Sequence, residues 1–246
     1  MRATTDEQDE QFYRDTESVA FPKLDDYQVS LLEPLGQRRT MKRGDLIFKA
    51  GQRDLGLTVV MGGELEAFEL RDGTEQILAT AHERDFLGDV SMLQGTSALA
   101  SVRVTSDGAE VLHVPAAELR RALAEIPAVS STIVNALIMR RRRLKRDREF
   151  AGFRVLTTAN DRDGRRMDDF LDKNHIPHRV VDVAHQQGQE LTKRFRLTNR
   201  DLPTLIAPNG SPLRRPSLRE VANVAGLLRP LAREDETEIF SDVTIV

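Results

Sequence analysis

Between Phe21 and Val114 no apolar run lasts longer than six residues, and every run ends in a turn signal. The runs are LIFK at 46–49, LTVVM at 57–61, LEAFEL at 65–70, QILAT at 76–80, ASVRV at 100–104 and VLHV at 111–114. RGD, AGQ, GG, RDGT and SDG separate them. Runs this short cannot make amphipathic helices, which need ten or more residues, but they suit strands. In residues 65–70 charged and apolar side chains alternate, as in a strand wet on one face. Strands at this spacing predict a closed antiparallel barrel or jelly roll.

Helices follow. Pro115 opens PAAELRRAL at a first-turn position, and Glu118 lies early, near the positive end of the helix dipole. After Pro127 a longer helix places Val129, Ile133, Leu137 and Leu144 on one stripe. The 246 residues suit two domains of ordinary size, and a 39% hydrophobic fraction is enough for packed cores. No apolar run approaches the roughly 18 to 20 residues of a membrane span. The acidic N-terminus has no apolar segment of the signal-peptide kind, and residues 1–20 are expected to be a disordered acidic tail. There is no cysteine, which excludes disulfides, thiolate zinc sites and thiol catalysis by this chain. The cytoplasm is the expected compartment. A net charge of -3 gives no global pull toward nucleic acid.

The order of strands, glycine-containing loop, two strands and long helix resembles the cyclic-nucleotide-binding domain of catabolite-activator-type regulators and cyclic-nucleotide-dependent kinases. The resemblance covers about residues 21–148, and the domain is set at 21–150. It rests on KRGDLIFKAGQ at 42–52, MGGEL at 61–65 and FLGDVSML at 86–93. In that family a phosphate cassette runs from Phe-Gly-Glu through a short helix to an Arg; the Glu takes the ribose and the Arg the phosphate. The resemblance places the ligand pocket at Leu87, Gly88, Asp89, Gly95, Thr96, Ser97 and Ala98. The Arg position falls at Ala98, or at Ser97 if the loop is one residue shorter, and no Arg or Lys lies between Arg84 and Arg103. Arg103, between Val102 and Val104, should face away from the core. Losing one partner of a buried charge pair costs about 2 to 5 kcal/mol. A micromolar ligand would then weaken to between about tens of micromolar and millimolar. The cassette is therefore expected to be degenerate for cyclic nucleotides.

The run MRRRRLKR at 139–146 raises nucleic-acid binding, because clustered cations neutralise phosphates. A DNA-binding regulator would need a recognition helix after residue 150, and a strand, FRVLTT at 153–158, stands there instead. An interface with acidic surface on another domain is the expected use of Arg140–Arg143.

From 151 to 230 the period changes to β-α-β-α-β-β-α. Met167, Phe170 and Leu171 fall at helical spacing, Asn209-Gly210 marks a hairpin, and Ser217 with Glu220 forms a capping box. This order resembles the thioredoxin and glutaredoxin fold. Leu202, Pro203 and Thr204 match the family's cis-proline loop. Where active members carry C-x-x-C this chain has TANDRDG at 158–164, so the resemblance implies the fold without its redox couple. His175, His178 and His185 lie in loops and are not expected to bind metal.

After Pro230 an acidic linker leads to IFSDVTIV at 239–246. A cyclic-nucleotide-binding-like domain followed by a thioredoxin-like one resembles the N-terminal half of fused thioredoxin-reductase-like flavoproteins. There a Rossmann strand reading like DVTIV precedes a glycine turn that binds the flavin pyrophosphate. The expectation is thus a multidomain chain: a β jelly roll with C-terminal helices, an α/β thioredoxin-like domain, and, over 231–246, a linker and the start of a truncated Rossmann strand. Its expected role is the non-catalytic sensing or docking half of such a reductase. No cofactor is expected in this chain; FAD and NAD(P)H would belong to a missing reductase region. Its partners would be a small-molecule effector and a reductase domain or subunit, with neither membrane nor nucleic acid. The alternatives are a stand-alone effector-binding protein for cyclic AMP or cyclic GMP, and a transcription regulator.

Overall fold

A computed structural model describes residues 5–53, 55–71, 74–88, 95–146, 152–228, 230–231 and 239–240. Eight short strands form two antiparallel sheets that face each other as a jelly roll. One sheet has the order β1 (Gln37–Lys42), β8 (Gly108–Val114), β3 (Leu57–Gly62), β6 (Phe86–Leu87). The other has the order β2 (Leu46–Phe48), β7 (Ser101–Val104), β4 (Leu65–Arg71), β5 (Thr74–Ala81). Val59, Val60, Leu65, Phe86, Val102, Val104 and Leu112 fill the space between them. Gly63, at φ +85°, makes the β3–β4 turn; a Cβ there would meet the Gly108 carbonyl oxygen at 2.5 Å. β1, QRRTMK, is almost wholly exposed and has no apolar alternation, so nothing in its own sequence marks it as a strand. Its pairing with β8, from Gln37↔His113 to Lys42↔Gly108, makes it one.

Two helices flank the jelly roll before its first strand. α2 (Asp26–Leu32) is closed by an Asp25/Gln28 capping box. α1 (Thr5–Ala20) corrects the expected disordered tail: these residues form a helix of 16 residues packed along α4 (Pro127–Arg146). The physical reason is charge and ring complementarity to the arginine run. Arg143 pairs with Glu17 at 2.6 Å and Arg146 with Asp9, while the Arg143 and Arg146 guanidiniums lie over the Tyr13 and Phe12 rings. α3 (Ala116–Glu125) precedes α4, and no single described helix is long and apolar enough to cross a membrane. On α4, Val129, Ile133 and Leu137 enter the jelly-roll core, whereas Leu144 packs against the second core.

That second core belongs to a mixed sheet of order β10 (His178–Asp182), β9 (Phe153–Thr157), β11 (Thr204–Ile206), β12 (Pro212–Arg214). β10 is parallel to β9, while β11 runs antiparallel to both β9 and β12. α5 (Arg162–Lys173) and α7 (Leu218–Ala225) bring Met167, Phe170, Leu171, Val221 and Ala225 to one face, with Phe153, Val155 and Leu205. α6 (Gln186–Arg194) covers the other face through Leu191, with Leu156, Val181 and Ile206. β9, buried at every residue, is sandwiched between them. The Asn209-Gly210 turn joins β11 to β12, and the Ser217/Glu220 box opens α7. β13 (Pro230–Leu231) pairs with β14 (Ile239–Phe240); residues 242–246, expected as a Rossmann strand, lie outside the described residues.

Candidate functional site

A cavity of about 520 Å³ opens between the jelly roll, α1 and α4. This is the size of a small-molecule site. Most of its wall is apolar: Phe48, Leu55, Leu78, Leu87, Leu99 and Val102 are among the lining residues. Its polar groups come mainly from α1, α4 and the β5–β6 connection, including Glu17, Asp85, Arg140 and Arg143.

The cassette residues fall on this wall unevenly. Leu87, Gly88 and Ala98 line the cavity. Gly95, Thr96 and Ser97 are buried beside it, Gly95 at φ +70°. Asp89 lies outside the described residues. The segment is tied down at both ends. Arg140 Nη1 donates to the Phe86 and Gly88 carbonyls at 2.9 and 3.1 Å, and its Nε donates to Ala20 at 2.7 Å. Its guanidinium also lies over the Phe21 and Phe86 rings. At the other end the Ser97 amide donates to the Ala225 carbonyl at 3.1 Å and Ser97 Oγ to Val224 at 2.8 Å. The Ala98 amide donates to Gln52 at 2.9 Å. Leu99, 5% exposed, packs into the core of the second sheet.

Sequence reasoning sought the cation inside the cassette, where there is none. Among the described residues the cations on the cavity wall are instead Lys23, Arg140 and Arg143, two of them from the run considered for nucleic acid. The available clue was the acidic N-terminus, whose charge complements the arginine run. Arg103 does face outward, bonded to Glu75 at 2.5 Å and Glu66 at 3.3 Å, over the Phe68 ring. The Glu75 hydrogen bond, with Glu66 adding to it, raises its pKa above the usual arginine value.

Residues 38–125 match the family model described as the cyclic nucleotide-binding domain. The match covers about a third of the chain. A search of curated proteins returns no match. Among solved structures, the Thermus thermophilus catabolite activator protein is 26% identical, with a TM-score of 0.44, over 51% of this chain and 59% of its own. The N-terminal domain of a Streptomyces coelicolor A3(2) transcriptional regulator is 26% identical, with a TM-score of 0.41, over 50% of this chain and 89% of its own. The regulatory domain of Toxoplasma gondii PKA, solved with cAMP, is 19% identical, with a TM-score of 0.36, over 58% of this chain and 51% of its own. This chain thus spans little more than half of the first and third.

Beside the mixed sheet the Leu202–Pro203 peptide is cis, and Thr204 is buried and donates from Oγ1 to the Asp201 carbonyl at 2.7 Å. Segment 158–164 surrounds the N-terminus of α5. Asp161 caps it, accepting from the Asp163 amide at 3.0 Å and from Thr157 Oγ1 at 2.8 Å. The expected loop placement of the histidines needs one correction. His178 begins β10, with a largely buried ring bonded to the Ile176 carbonyl and to Asp168, both at 2.8 Å, because β10 pairs in register with β9. Among the described residues no group of three or more His, Asp or Glu could hold a metal ion.

Proposed function

We propose that the jelly roll is an effector-binding domain and that its cavity takes a small amphiphile of the cyclic-nucleotide type. The observation that carries this is the family match at 38–125 over a domain with a cavity of about 520 Å³ bordered by Leu87, Gly88 and Ala98. The apolar wall suits a base or other flat ring. Ala98 offers no charge to a phosphate, so affinity is expected between about tens of micromolar and millimolar. On this reading the chain recognises a ligand and catalyses nothing. Titration calorimetry of the full chain with cyclic AMP and cyclic GMP tests it. Saturable binding in that range supports the reading, and no heat with either nucleotide up to millimolar concentration sinks it.

A second reading adds the thioredoxin-like domain and the reductase. The sheet order β10-β9-β11-β12, with three helices in the expected order, supports a thioredoxin-like fold for residues 153–228. Its attachment to a thioredoxin-reductase-like flavoprotein, as a docking half without redox chemistry, rests on domain order alone. The coding sequence downstream of Val246 tests this attachment: a glycine-rich dinucleotide turn supports it, and unrelated sequence removes it.

A further inference from the structure

The last turn of α6, the loop after it and the end of β12 converge on one surface. Arg214 Nη2 donates to the Phe195 carbonyl at 3.4 Å and its Nη1 lies 3.8 Å from Asp201, while the Arg215 amide donates to the Pro203 carbonyl at 2.9 Å. These contacts gather Lys193, Arg194, Arg196, Arg200, Arg214 and Arg215, all exposed. Residues 193–219 hold seven Lys and Arg against one acid, Asp201, in a chain of net charge -3, so the rest of the chain is net acidic. Counter-charge is scarce here: among the described residues Lys193, Arg194, Arg196, Arg200 and Arg215 make no ion pair. The jelly-roll arginines differ, since Arg38, Arg84 and Arg103 each face a carboxylate. Lys193 and Arg194 complement the negative end of the α6 dipole, but Arg200, Arg214 and Arg215 lie on other elements. Two of the six also sit where glycine is the unstrained residue. Arg196, at φ +50°, closes α6, its amide bonded to Lys193 and the next amide to Thr192, and Arg215 is at φ +45°. An arginine at such a position strains the backbone and contributes a charge.

We propose that this surface docks a short acidic segment of a polypeptide partner. Three observations favour a polypeptide over a nucleic acid. The protein around the patch is net acidic, which repels a long polyanion but tolerates a segment confined to the patch. β12 is the edge of its sheet, and the Arg215 amide and Ser211 carbonyl both point inward to bond its neighbouring chain. The Arg214 amide and carbonyl therefore point outward, where an extended chain can bond them. Finally, the only aromatic residue between 193 and 219 is Phe195, half-buried and covered by the Arg194 guanidinium at 5.2 Å, which leaves no open ring for stacking bases. None of the six cations lines the effector cavity, so this docking does not depend on the effector reading.

The test is fluorescence anisotropy of the full chain with a labelled glutamate-rich peptide, and with a single-stranded oligonucleotide of equal charge. The variant Arg196→Gly/Arg215→Gly removes two charges where glycine adopts the backbone conformation without strain, so its thermal midpoint should stay close to that of the unaltered protein. Arg120→Gln/Arg162→Gln removes the same charge from exposed positions elsewhere. The peptide should bind the unaltered chain, more weakly as salt rises. It should bind the glycine variant about tenfold more weakly and the control within about twofold. No binding at low salt overturns the proposal. Equal losses in the two double variants also overturn it, because net charge alone would then be responsible. An oligonucleotide that binds more tightly than the peptide, and loses affinity in the glycine variant, makes the partner a nucleic acid and overturns it too. Should the glycine variant unfold, Arg200→Gln, in the turn Asn199–Asp201, must still weaken the peptide about two- to threefold. Unchanged affinity there overturns the proposal.

Discussion

Segments 158–164 and 95–99 are both held by hydrogen bonds, and each is closed differently. In segment 158–164 the closure is local: Asp161 caps its own helix and takes the Thr157 hydroxyl four residues back. Gly164 completes it, since a Cβ there would lie 2.1 Å from Thr157 Oγ1. In segment 95–99 the closure comes from far along the chain: Ser97 is bonded to a helix 127 residues later, and Leu99 is buried in the core of the mixed sheet. A site filled by its neighbours is finished within its own domain. A site filled from a distance is an interface, and its energy is shared by both cores.

The largest expected effect is therefore at Leu99. Leu99→Ala removes a buried side chain and should cost about 2 to 5 kcal/mol. In urea, with a probe in each domain, both transitions should move. A shift confined to one domain would break the contrast. Asp161→Ala should cost about 1 kcal/mol, the usual worth of an N-cap, and only the second-domain probe should respond. Arg103→Gln loses ion pairs that are partly buried and should cost about 1 kcal/mol. Because Arg103 faces outward, its loss should leave the affinity for cyclic AMP unchanged. A tenfold loss would mean that the guanidinium reaches the cavity.

The two domains should also part company with pH. Burial, and then the nearby Arg39, lower the pKa of His113 on β8 below 6.5, so the folded jelly roll resists its protonation. The unfolded chain binds that proton more readily, so stability falls as pH drops below about 6.5 and levels off once the folded value is passed. His113→Gln should flatten that slope. In the second domain, hydrogen bonds from the Thr198 backbone and side chain lower the Asp201 pKa below 3.8, and those from Ser217 lower Glu220 below 4.5. These caps stabilise above the unfolded values and are lost as pH falls through the lower folded ones. Acid titration should therefore weaken the jelly roll at a higher pH than the second domain. Simultaneous weakening would contradict this order.

What could be read from the sequence follows the same division between near and far. The runs at 57–61 and 100–104, the Asn209-Gly210 turn and the Ser217/Glu220 box depend on residues close in sequence, and their structures match. β1 was hidden because an exposed edge strand needs only a partner, and its partner lies some seventy residues on. α1 was hidden because its acidic residues suggest solvent until Arg143 and Arg146 are seen beside them. At the candidate site the missing cation at Ala98 was readable. That α4 supplies the cavity's arginines and α7 occupies Ser97 was not, since both are contacts between distant parts of the chain.

Hydrogen exchange at the Ser97 amide tests the central claim most directly. If the end of α7 occupies this donor, the amide should be strongly protected in the full chain. It should exchange at least about tenfold faster in Gly226→Val, since a Cβ there would lie 2.7 Å from the Ser97 nitrogen. A Ser97 amide that exchanges freely in the unaltered protein would contradict the account.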